Sequence, residues 1–129
     1  MSLPRILALM GSGETAPTMV STHRSLVARL GGTVSATVVD TPYGFQENAP
    51  ELAERAVTYF SRSVNIDVTV AGLTRMSGEG HDPVSVERGL RHLAGANWVF
   101  AGPGSPTYAL RQWRGTAVPD LLAEKLRTG

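Results

Sequence analysis

The sequence predicts an α/β domain: a parallel sheet with helices on both faces. Three observations lead there. Short apolar or β-branched runs alternate with stripes of helical period. Each run is flanked by Gly or Pro, as in strands buried on both faces. Cap signals open the helical stretches between the runs.

Arg5–Met10 (RILALM) is the first run, broken by Gly11-Ser-Gly-Glu14. A helix should then run from about Thr15 to Leu30, with Val20, His23, Val27 and Leu30 on one side and Gly31-Gly32 as its end. Thr33–Asp40 (TVSATVVD) is the second run and closes at Thr41-Pro42. From about Asn48 to Arg62, Ala49, Leu52, Ala53, Ala56, Val57 and Phe60 fall on one helical stripe. Asn48 with Glu51 three residues on reads as a capping box. Ile66–Gly72 and Asn97–Ala101 are the third and fourth runs. Between them Asp82-Pro83, a cap followed by Pro, starts a helix carrying Val86, Leu90 and Leu93. Ser105-Pro106 repeats that signal for a short helix ending near Gly115, and a last helix covers about Pro119 to Arg127. The order β-α-β-α-β-α-β-α-α, with right-handed crossovers, gives one three-layer domain over residues 1–129. Thr74–Gly80 is the one long polar loop.

Composition narrows the function. The chain has 129 residues, of which 42% are apolar, enough for one sizeable core. Twelve basic against eleven acidic residues leave a net charge of +1, and the arginines are spread along the chain. No nucleic-acid footprint or polybasic membrane arm follows. Cysteine is absent, which excludes disulfides, thiolate metal sites and a Cys nucleophile in this chain. No apolar run reaches the roughly 20 residues of a membrane span, and the first is too short for a signal peptide. The default expectation is a cytoplasmic protein.

In open α/β sheets ligands bind beyond the carboxyl ends of the strands. Four loops qualify: Gly11–Glu14, Thr41–Phe45, the loop after Gly72, and Gly102–Ser105. Gly11, Gly13 and Ala16 fit a dinucleotide-binding turn, with Asp40 where a ribose-binding acid would stand. Glu14 opposes that reading, because its carboxylate would face a pyrophosphate; a plain tight turn is the alternative. In Gly102-Pro-Gly-Ser-Pro106, Gly102 and Gly104 let a ligand approach the backbone, and Pro103 and Pro106 carry no N–H. The amides of Gly102, Gly104, Ser105 and Thr107 at a helix start suit a carboxylate or an oxyanion. The competing reading makes Ser105 only a cap and the glycines only a turn. Ser105 is a poor nucleophile candidate, lying outside G-x-S-x-G and away from any His.

His23 and His92 read as structural, and His81 is the freest of the three histidines. His23 shares an apolar face, His92 sits late in a helix, and His81 precedes the Asp82 cap. None has metal-ligand spacing. Glu47, Glu51 and Glu54 read as a solvated face. Tyr43 and Phe45 either line a pocket or pack over the sheet edge.

The stretch Val99-Phe-Ala-Gly-Pro-Gly-Ser-Pro-Thr-Tyr-Ala-Leu110, with Gly11-Ser-Gly-Glu14 and Asp40-Thr-Pro-Tyr-Gly-Phe-Gln-Glu-Asn48, resembles the cyanophycinase and aspartyl dipeptidase group of serine peptidases. That group has the class I glutamine amidotransferase-like fold. The resemblance covers the whole chain, as the front part of the family's. It implies a flavodoxin-like three-layer sandwich, here ending after the fourth strand and its helices. It implies a Ser nucleophile at a strand-to-helix elbow assisted by a His and an acid, with the nucleophile and the His beyond this chain, so that the chain alone is inactive. It implies that Gly104 supplies an oxyanion-hole amide, and that Gly11, Ser12, Gly13, Glu14, Tyr43, Gly44, Gly102 and Ser105 border a small peptide or amide substrate. Pro103 and Ser105 depart from the family's Gly-Gly-Gly-Asn. No cofactor or metal is expected. The open sheet edge should be covered by further chain or by a second copy. The other readings are a nucleotide-binding module using Gly11, Gly13 and Asp40, and a non-catalytic partner subunit.

Overall fold

The computed structural model describes residues 5–10, 13–78 and 81–128. Three strands form a parallel sheet: β1 (Ala36–Val39), β2 (Val68–Val70) and β3 (Trp98–Ala101), in the order β2-β1-β3. Val38 stands opposite Val70 on one side and Phe100 on the other. Every residue of β1 is buried, as the β-branched run Thr33–Asp40 predicts for a strand covered on both faces. Among the described residues five helices flank the sheet: α1 (Val20–Ala28), α2 (Ala49–Tyr59), α3 (Pro83–Gly95), α4 (Pro106–Trp113) and α5 (Val118–Thr128).

Alternation along the strands sorts the core into two layers. Ala36, Val38 and Phe100 face α1 and α2, packing with Val27, Ala56, Phe60 and Val64. Val39 and Val99 face the opposite way and meet Leu93 of α3 and Val118 and Leu121 of α5. Helices therefore cover both faces, as the sequence pattern requires. Phe60–Val64 winds one wider turn beyond α2 and stops at Asn65, whose φ of 63° is left-handed and tolerable for Asn.

Three expectations need correction. Arg5–Met10 is not a strand: Leu7 and Leu9 are 65% and 88% exposed. The sheet therefore has three strands among the described residues, not four. The reason lies in the order: β2 and β3 already occupy both sides of β1, so a further strand could join only at an outer edge. Arg5 instead reaches the end of α5, its guanidinium donating to the Arg127 carbonyl at 2.9 Å. Second, the Asn48 side chain makes no cap; α2 starts from a turn in which the Ala49 amide donates to the Gln46 carbonyl. Third, α1 begins at Val20, after a 3-10 turn over Pro17–Met19.

The other two start signals act as read. Asp82 accepts from the Val84 amide at 3.1 Å, and Ser105 Oγ from the Tyr108 amide at 3.1 Å. No described helix is long and apolar enough to cross a membrane.

Candidate functional site

The chain leaves β1 for β2 on one side, while β3 lies on the other. The strand order thus reverses between β1 and β3, and the crevice of a doubly wound sheet opens beyond their carboxyl ends. The loops after these strands, with the loop after β2, pack into one body there.

Glycines allow that packing. A Cβ on Gly104, whose φ is 149°, would run into the Pro42 carbonyl. One on Gly102 would come within 2.7 Å of the Tyr43 ring, and one on Gly44 would overlap the Thr74 backbone. Side chains lock the same body. Asp40 Oδ1 accepts from the Leu73 amide at 2.8 Å. Thr41 Oγ1 donates to the Leu73 carbonyl at 2.7 Å and accepts from Trp113 Nε1 at 2.9 Å. The Tyr108 hydroxyl donates to the Thr74 carbonyl.

Burial raises the Asp40 carboxyl above its ordinary range, opposed by backbone hydrogen bonds from Leu73 and its neighbours. Burial foremost, and the Asp40 carboxylate next, push the Tyr43 phenol far above its usual value, so it remains a neutral O–H donor. That hydroxyl is buried with no hydrogen-bond partner among the described residues. Burial also raises Tyr108.

The amides of the Gly102–Ser105 loop divide. Ser105 N–H donates to the Pro42 carbonyl at 2.8 Å and is spent on joining the two loops. Gly104 N–H has no partner among the described residues and stands just before α4, at its electropositive end. The Ser105 hydroxyl is the α4 cap.

A cavity of about 170 Å³ opens beside this loop. Thr15, Tyr43, Gly102 and Pro103 line it with Val38 and Phe100 from the strand ends and Leu52, Arg55 and Ala56 from α2. The loops after Glu14, β1 and β3 thus meet around one space. A larger depression of about 510 Å³ lies along α2, lined by Glu51, Glu54, Arg55 and Arg62, and shares Arg55 with the first cavity.

Tyr43 and Gly102 come together at this cavity, with Ser105 and Gly104 in the adjoining loop. Gly44 is buried beneath Thr74 rather than open to a ligand. The Glu14 carbonyl meets His23 Nε2 at 2.6 Å; Thr15, one residue on, is the one that reaches the cavity. Gly13, with a φ of 71°, makes a turn closed by the Ala16 amide on its carbonyl. Gly11 and Ser12 lie outside the described residues. Asp40 points into the protein as a strut for the loop after β2. Leu52 and Arg55 carried no signal that could have marked them as lining a cavity. Thr15 stood next to Gly-Ser-Gly-Glu, and Pro103 lay within the Gly102–Ser105 loop.

His23 is wholly buried, edge-on to Tyr59, Phe60, Trp98 and Phe100. No described Ser is hydrogen-bonded to a His ring. Among the described residues no cluster of three or more His, Asp or Glu is placed to hold a metal.

Compared with protein-family models, with curated proteins and with solved structures, the chain matches none.

Proposed function

We propose that this domain forms the substrate rim and one oxyanion donor of a serine-type amide or peptide hydrolase of the cyanophycinase and aspartyl dipeptidase kind. The observation that carries the reading is the Gly104 amide: without a partner among the described residues, at the start of α4, beside the crevice where strand order reverses. A donor held there by the packing of Gly104 on Pro42 needs no reorganisation as charge develops on a carbonyl oxygen. In this reading the nucleophile and its histidine come from outside residues 1–129.

The test is fluorophosphonate labelling of the parent polypeptide, together with dipeptide and anilide substrates. The reading expects turnover, a single labelled serine outside residues 1–129, and a loss of about 10²–10³ in rate for Gly104→Ala, whose Cβ would meet the Pro42 carbonyl and push the Gly104 amide out of place. A parent that neither labels nor turns over any amide removes the hydrolase reading. So does a labelled serine within residues 1–129.

A further inference from the structure

We propose that the Thr15 hydroxyl binds a peptide group of the substrate in this crevice, and that His23 and Tyr59, neither of which lines the cavity, are the positioning residues that hold Thr15 there.

His23 sits where packing alone would choose another side chain. It is wholly buried, with the rings of Tyr59, Phe60, Trp98 and Phe100 edge-on around it, centroids between 5.2 and 6.1 Å away. A Phe would fill such a space without carrying a polar ring out of water. What the imidazole adds is one directed N–H. Its Nε2 lies 2.6 Å from the Glu14 carbonyl, and a carbonyl oxygen only accepts, so the proton is on Nε2. Nδ1 is left as a buried acceptor with no partner among the described residues.

The Tyr59 hydroxyl does the same on the far side, donating to the Ala16 carbonyl at 3.0 Å. The Ala16 amide closes the turn on the Gly13 carbonyl at 2.9 Å. One side chain from α1 and one from α2 thus hold the carbonyls on either side of Thr15. The residue between them is exposed, and its hydroxyl has no partner among the described residues. Thr15 lines the cavity together with Gly102 and Pro103, and Gly104 follows them in the same loop. A hydroxyl both donates and accepts, which suits either side of a peptide group. Fixing it beforehand lowers the cost of ordering it on binding.

The proposal rests on the hydrolase reading for the peptide nature of the ligand. Binding is measured on this chain without hydrolysis, so it can hold although the parent turns over no amide, and can fail although the parent does.

The experiment is an NMR titration of the purified 129-residue chain with the blocked dipeptide acetyl-aspartyl-alanine amide, with long-range proton–nitrogen spectra of the His23 ring. Expected are saturable shifts at the Thr15 and Gly102 amides and an Nε2–H tautomer at His23. Thr15→Val keeps the shape and removes the hydroxyl; it should weaken binding about three- to tenfold, the worth of one hydrogen bond. His23→Phe keeps a ring among the four aromatics. Tyr59→Phe removes only a hydroxyl from a half-buried ring, so its fold should survive, and it carries the same test if His23→Phe does not fold. Each should weaken binding about two- to fivefold alone, and hardly at all on top of Thr15→Val, because each acts through that residue. A merely structural loss would add to that of Thr15→Val. The proposal is overturned by additive losses, by unchanged binding in Thr15→Val or in both ring variants, by an Nδ1–H tautomer, or by no saturable shift at those amides.

Discussion

Replacing Asp40 by Ala and by Asn separates the two things its carboxyl does. The side chain is 4% exposed and accepts from the buried Leu73 amide at 2.8 Å. Asp40→Ala leaves that amide unpaired, at a cost of about 1–3 kcal/mol. Asp40→Asn keeps an oxygen in place and removes only the charge. Burial raises the folded carboxyl above its ordinary value of 3.8. As pH climbs past that ordinary value, the unfolded chain gives up its proton first. The folded state then binds more protons, so wild-type stability falls until the raised folded value is passed, and is level above it. The Asp40→Asn variant has no such dependence. Urea denaturation at pH 3, 5 and 7 reads the difference. At pH 3, where Asp40 is neutral in both states, the Asn variant should match wild type and the Ala variant should lose about 1–3 kcal/mol. At pH 7 the Asn variant should equal or exceed wild type. The reasoning fails if the two variants are equally destabilised at pH 3, or if the gap between Asp40→Asn and wild type does not change with pH.

Other perturbations test the packing. Gly89→Ala should cost about 1–3 kcal/mol in a urea melt, because its Cβ would stand 2.5 Å from the Ala71 carbonyl oxygen and 2.6 Å from Leu73 Cδ2, both at buried residues. Ser105→Ala removes the α4 cap and should cost about 1 kcal/mol in thermal melts, while Ser105→Asp restores most of it. Leu9→Ser should change stability by less than about 0.5 kcal/mol, since the side chain is almost fully exposed; a larger loss would show that residues 5–10 pack against the domain.

The sheet was legible where periodicity and local chemistry agreed. Thr33–Asp40 could be read as a buried central strand because β-branched residues fill both its faces. Asp82-Pro83 and Ser105-Pro106 marked helix starts because the cap side chain accepts from an amide of the first turn while the following Pro has no N–H to leave unpaired. Arg5–Met10 misled because apolar content does not say whether a neighbouring strand has a vacant side. Asn48 misled because its side chain makes no cap bond, and the chain enters α2 through a turn closed by the Ala49 amide on the Gln46 carbonyl. The loops were legible as glycine-bearing bends, but not as partners of one another. That Gly104 lies on Pro42, and Gly44 under Thr74, depends on strand order, which no local spacing encodes.

Asp40 shows why a motif reading needs its three-dimensional context. By spacing it stands where a ribose-binding acid would, at the end of the second expected run. In the fold the same carboxyl faces inward and fixes the Leu73 amide, while Thr41, next to it, holds the Leu73 carbonyl and the Trp113 indole. Two consecutive side chains thus pin both backbone groups of one residue in the neighbouring loop. The crevice beside them is bordered by Gly102, Pro103 and Tyr43 instead, with Thr15 and Arg55 as the further polar side chains of its lining. The acid that the spacing offers to a ribose is thus spent inside the protein, on holding one loop to the next.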